Sequence, residues 1–179
     1  MTQRELRNTI VKLLYDYLKA PPGQHSPKVV LSDQVMPEAD YPYIYYQSIQ
    51  QHIPGPYNKG QTVNGDTIIK YRSESAQASF SFTACSMNRI GPGGTKIYGD
   101  DEALNLADRA QGFFLFAGRP QLAAAGIVVV SVENTQSRSA IDGEETDRRY
   151  GFDVLLRYER RDERAVEAMG LPITYMEEE

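Results

Sequence analysis

Residues 126–161, GIVVVSVENTQSRSAIDGEETDRRYGFDVLLRYERR, constrain this chain most. A β-branched run, Ile127 to Val132, leads into a long polar stretch and then a segment of strict period two. In that segment Tyr150, Phe152, Val154, Leu156 and Tyr158 share one side, the mark of a half-buried strand. Thr67 to Ser86 shows the same alternation: Ala76, Ala78, Phe80, Phe82 and Ala84 point one way, and Ser75, Gln77, Ser79, Ser81 and Thr83 the other. Strands of this kind put one face on a core and leave the other to solvent or to a neighbouring subunit.

Two helical segments can cover the apolar face. Thr2 and Glu5 have capping-box spacing, and Leu6, Ile10, Leu13, Leu14, Tyr17 and Leu18 then recur on one side until Pro21 and Pro22 end the helix. The second helix starts at an Asp100 cap, with Asp101 and Glu102 at its positive end. Its expected apolar stripe is Leu104, Ala107, Ala110, Phe114 and Leu115, and Gly118 stops it before Pro120. Pro120 to Ala125 reads as one further helical turn. Val29 to Leu31 and the aromatic run Tyr41 to Ile49 read as strands. His52 to Gly65 and Asn88 to Gly99 are rich in Gly and Pro and read as loops, and Arg164 to Met169 as a short helix. The loops 52–66 and 86–99 and the segment 134–147 are expected to be mobile alone and to order against neighbours.

These elements give an α+β fold: a single, mostly antiparallel sheet with two main helices packed on one face. At 179 residues the chain fits one domain, residues 1–170, followed by an acidic tail, 171–179. The single cysteine, Cys85, excludes an internal disulfide and suits folding in a reducing cytosol. The segment MTQRELRN lacks the apolar run of a signal peptide, and no stretch approaches the roughly 20 residues that span a bilayer. A soluble chain made inside a cell is therefore expected.

No pattern here carries catalysis, so no catalytic residue, cofactor or metal is expected. His25 and His52 stand far apart without metal-ligand spacing, and Asp142, Glu144 and Glu145 lack the alternating oxygens of a calcium loop. Cys85 has no histidine near it in sequence. Gly91-Pro92-Gly93-Gly94 is not followed by Gly-Lys-Ser/Thr, and the helix beyond it opens with three acids that would repel phosphate. A net charge of −5 is the wrong sign for a general nucleic-acid binder. The late arginines are interleaved with Glu144, Glu145, Asp147, Asp153, Glu159, Asp162 and Glu163.

What remains is surface for protein neighbours. Tyrosine crowds one strand, at Tyr41, Tyr43, Tyr45 and Tyr46, and its apolar body with a polar tip suits interfaces as well as half-buried strands. The candidate subunit-interface residues are Tyr43 and Tyr45, the polar strand face with Gln77, Ser79 and Ser81, and the charged end with Arg148, Arg149 and Arg157.

Four segments carry a resemblance: LSDQVMPEADYPYIYYQSI (31–49), DDEALNLADRAQGFFLF (100–116), GIVVVSVENT (126–135) and DRRYGFDVLLRYERR (147–161). With Asp33, Gln34, Pro37, Pro42 and Tyr43 at the matching places, the chain resembles the tail-terminator, or neck-terminator, proteins of long-tailed bacteriophages over most of residues 3–161. The resemblance implies a virion protein made in the host cytoplasm. It implies a homo-oligomeric ring, usually a hexamer, that caps the tail tube, ends its polymerisation and joins it to the head connector. The partners so implied are other copies of the chain, the tube protein, the connector protein and DNA passing through the lumen without sequence-specific binding. Another connector or tube ring component, or a carboxylate-based enzyme, are the rival readings.

Overall fold

The computed structural model describes residues 1–21, 25–32, 40–64, 67–139 and 147–167. Helix α1, Gln3–Leu18, begins at the predicted capping box: Thr2 Oγ1 accepts the Glu5 N–H at 3.3 Å and Glu5 Oε2 accepts the Thr2 N–H at 2.8 Å. Leu6, Ile10, Leu14 and Leu18, each four residues on from the last, form its buried stripe.

The strands follow as β1 (Lys28–Leu31), β2 (Tyr43–Ile53), β3 (Tyr57–Asn64) and β4 (Thr67–Ser86), then the short hairpin pair β5 (Arg89–Ile90) and β6 (Lys96–Ile97). Helices α2 (Gly99–Gly112) and α3 (Arg119–Ala124) come next, then β7 (Ile127–Val132), β8 (Gln136–Ser137) and β9 (Arg148–Glu167). The main sheet has the order β1-β2-β4-β9-β7, with β3 also on β4 and β8 also on β9. Among the described residues only β1 and β2 run parallel; every other pairing is antiparallel. The α+β expectation holds, and the helices supply the core on one face. Phe82 sits at its centre, with ring centroids of Tyr46, Phe80, Phe114 and Phe152 at 5.0 to 6.5 Å.

Helix α2 departs from its expected register. Its buried residues are Ala103, Leu106, Ala107 and Ala110, and Leu104 is 37% exposed. The small alanines let the helix lie close to the sheet, so the stripe is rotated away from Leu104. The helix also starts one residue before the expected cap. A side chain at Gly99 would stand 2.5 to 2.8 Å from the Met87 backbone, and the Gly99 N–H bonds Asn88 Oδ1 at 2.9 Å. Asp100 therefore lies in the first turn and not at the cap. After Gly112 the chain makes a π-helical turn, Phe113–Ala117, closed by the Gly118 N–H on the Phe113 carbonyl at 2.7 Å. It buries Phe113 and Phe114 and leaves Leu115 and Phe116 outside, 49% and 84% exposed. Leu115 was expected inside.

Further departures concern two expected loops and one expected helix. Most of 52–66 is strand. Strands β2 and β3 run in one line along β4, which pairs β2 through Gln77–Cys85 and β3 through Thr67–Glu74. Only Pro54, Gly55 and Pro56 interrupt them, because proline cannot donate to a ladder. The expected helix at 164–169 is not formed where the chain is described. Arg164–Glu167 continue β9 and pair with Thr67–Lys70; 168 and 169 lie outside the described residues. The loop at 88–99 is partly ordered by the β5–β6 hairpin, whose turn uses Gly93 and Gly94 at φ 74° and 79°. The acidic tail 171–179, Gln34 and Pro37 also lie outside the described residues.

The result is two regions. In the first, β1, β2, β7, α1, α2 and the middle of β4 and β9 enclose the core. In the second, β3, Thr67–Glu74 and Glu159–Glu167 make a three-stranded arm whose described residues, apart from Glu74 at its root, are all half-buried or exposed.

Candidate assembly surfaces

The sheet face away from the helices gathers most of the predicted interface residues. Register places Tyr43 beside Cys85 and Arg149, Tyr45 beside Thr83, Ser81 beside Asp153, and Gln77 beside Arg157. Ser79 lies opposite Leu155 on the same face. Arg148 is not among them: it pairs with Ser86, so its side falls on the helix-covered face.

Ser81 is only 4% exposed, because Arg138 folds over it: Nη1 donates to Ser81 Oγ at 2.5 Å and Thr83 Oγ1 at 3.0 Å, and Nη2 to Asp153 Oδ1 at 2.8 Å. Gly151 makes room, since a side chain there would meet Thr83 Oγ1, the Phe82 carbonyl and Arg138 Nη1 at 2.6 to 2.8 Å. Within 134–147, expected as mobile, Arg138 and Ser139 are thus tied to the sheet, Ser139 Oγ accepting the Arg149 N–H at 2.9 Å. Residues 140–146, with Asp142, Glu144 and Glu145, lie outside the described residues. Sequence spacing gives no sign of the Arg138 clamp.

At one end of this face Tyr41, Tyr43, Cys85, Asp147 and Arg149 meet. The Tyr41 hydroxyl donates to Asp147 Oδ1 at 2.5 Å, and Arg149 Nη2 to Asp147 Oδ2 at 3.1 Å. Burial pushes the Cys85 thiol up to about 11 and the Tyr43 hydroxyl up to about 12; burial and the Asp147 carboxylate also raise Tyr41. A thiol held protonated is a poor nucleophile, so the cluster packs the strand ends and does not activate Cys85. On the other face Arg89 grips Glu102 with both nitrogens, at 2.6 and 3.0 Å, and Ser86 adds a bond of 2.5 Å. Burial raises the Glu102 carboxyl, but these donors outweigh it and hold it below its usual value.

The root of the arm is built around Glu74, 1% exposed. Its Oε1 accepts the Gly55 N–H at 3.1 Å and lies 3.3 Å from His52 Nε2; Arg72 stands 3.2 Å from Oε2. Arg160 Nη1 is 3.3 Å from His52 Nδ1. A guanidinium only donates, so Nδ1 accepts and the imidazole proton sits on Nε2, facing Glu74. Burial raises the Glu74 carboxyl; Gly55, Arg72 and His52 more than offset it, and it stays below its usual value.

Beyond the root, alternation gives the arm two unlike faces. The face continuous with the helix-covered side carries Lys59, Lys70, Arg72, Arg160 and Arg164 against Glu74 and Asp162. Arg72 lies 4.5 Å from the Tyr57 ring on that side. The opposite face carries Arg161, 4.2 Å from the Tyr71 ring, against Glu159 and Glu163. Among the described residues no group of three His, Cys, Asp or Glu side chains is placed to hold a metal ion, and no helix is long and apolar enough to cross a membrane.

No curated protein matches this sequence. The family described as phage neck terminator protein matches residues 8–179, nearly the whole chain. The chain therefore belongs to the phage neck terminator protein family, a structural component of the virion at the tail and neck.

Proposed function

We propose that this protein closes a phage tail at the neck as a homo-oligomeric ring, a hexamer, that caps the tube, ends its polymerisation and joins it to the head connector. Family membership over residues 8–179 is the observation that carries this reading. The surfaces supply the means. A ring needs a heterologous contact, in which one patch of a subunit meets a different patch of the next. The chain offers unlike patches: Tyr43, Tyr45, Gln77, Ser79, Arg149 and Arg157 on the open sheet face, and the two-faced arm beyond it. The role is one of assembly and involves no catalysis, with the tube protein and the head connector as its partners. The net charge of −5 favours DNA passing through a lumen over DNA retained there.

The test is a phage lacking the protein. Heads and tails should fail to join, and tails should lose their uniform length. Normal tails and infectious particles in its absence would sink the proposal. A tube protein is the nearest rival, and it stacks into long tubes on its own; purified neck protein should form no such tubes.

A further inference from the structure

Among the described residues two uncovered surfaces match each other in charge, in apolar content and in spacing. The first is the basic face of the arm. A three-stranded sheet open on both faces and both edges gains little stability alone. Rows of paired residues cross this face from root to tip. Lys59 and Arg72 share a row with Asp162, then Lys70 shares one with Arg164. At the tip Val63, Ile68 and Val166 stand together, with Val63 68% exposed. An apolar tip thus follows a cationic band.

The second surface is the outer side of α2 and the π-helical turn. Asp101, Leu104 and Asp108 recur there at helical spacing and are exposed, and Leu115 and Phe116 follow. Phe116 is the most exposed large apolar side chain among the described residues. Here an apolar end follows an anionic band. From Val63 to Lys59 along a strand is about 13 Å. From Phe116 to Asp108 along a helix is about 12 Å. The apolar tip and Lys59 of one surface are therefore spaced like Phe116 and Asp108 of the other.

We infer that the arm of one copy lies along α2 of a second copy, with Val63, Ile68 and Val166 against Leu115 and Phe116, and Lys59 facing Asp108. Arm and helix are different patches, so the contact repeats head to tail, as a ring requires. The inference rests on the ring proposal and names its interface. The apolar contact supplies most of the affinity, and the charges set register and partner.

The test uses assembled virions. Val63→Cys and Phe116→Cys are placed in the same chain, particles are treated with a short bismaleimide, and the protein is resolved in denaturing gels. Cys85 is buried and does not compete. The double variant should give a ladder of covalent oligomers, and each single variant should stay monomeric. A monomer from infectious double-variant particles overturns the arm-to-helix contact but not the ring, whose test is joining and tail length in a phage without the protein. Should the cysteines block assembly, charge reversal decides. Lys59→Glu should lower titre by about tenfold or more, and Asp108→Lys in the same chain should restore it. No restoration overturns the proposal.

Discussion

The middle and the far end of β4 are one strand with two fates. From Ala76 to Ala84 every second side chain is buried under helix, and each pairing with β2 and β9 adds to a closed core. From Thr67 to Ser73 the same strand, with the same kind of ladder on both sides, has no layer above it among the described residues. Hydrogen bonding alone therefore does not distinguish the regions; apolar cover does. Backbone ladders give an arm its shape, and burial gives a core its stability.

That contrast can be broken by substitution. The largest effect is expected at Phe152, fully buried against Phe82 and Phe114. Phe152→Ala should cost roughly 3–5 kcal/mol in denaturant unfolding. A near-neutral result would mean that the core is not where the ring contacts place it. Next comes the junction. A Cβ at Gly55 would stand 1.8 Å from the Ser75 carbonyl oxygen, so Gly55→Ala should cost about 1–3 kcal/mol. Its loss of amide protection should centre on β3 and its partners; equal loss across α1 would show that the regions are not separable.

Removing the cap of α1 tests the cover itself. Thr2→Ala should cost about 1 kcal/mol, read as a drop in melting temperature, and leave exchange in the arm unchanged. Acid should act the other way. The Glu74 carboxyl is held below its usual value in the folded chain, so its contribution is complete above the unfolded pKa and is lost as pH falls through the folded one. Arm amides, corrected for intrinsic rates, should therefore lose protection in acid before core amides do, and Glu74→Gln should abolish the difference. Simultaneous loss in both regions would refute this. The smallest effect is expected at the tip: Val63→Ala should change the stability of the isolated subunit by no more than about 0.5 kcal/mol. A larger loss would mean the tip is already covered within one chain.

Most of the enclosed region was legible because its residues follow simple periods. Alternation from Ala76 to Ala84 and from Tyr150 to Tyr158, and the Thr2–Glu5 spacing, each point to one local structure. The register of α2 was not, because Ala103 and Leu104 are both acceptable inside and only the depth of the groove chooses between them. The arm was hidden for a different reason. Its β3 sequence, YNKGQTVN, has little apolar content and lies between prolines and Asn-Gly, so local signals favour a loop; its strand form depends on a long β4 waiting beside it. Of the surface residues, the tyrosines and Gln77 were legible by face. Arg138 was not, because a clamp made across distant segments leaves no spacing in the chain.

The break at Pro54-Gly55-Pro56 has a consequence for how such a chain can change over generations. Side chains alternate along a strand, so one added residue normally turns every later one over. Here the interruption separates the arm from β2, and among the described residues no core lies beside its far end at Val63, Ile68 and Val166. Residues inserted in matched pairs on both strands near the tip would lengthen the arm and keep each charge on its own side. A single odd insertion in β3 would exchange its outward and inward residues while leaving the core untouched. Reach and partner preference at this end of the molecule can thus be retuned by the parity of an insertion, without renegotiating the fold.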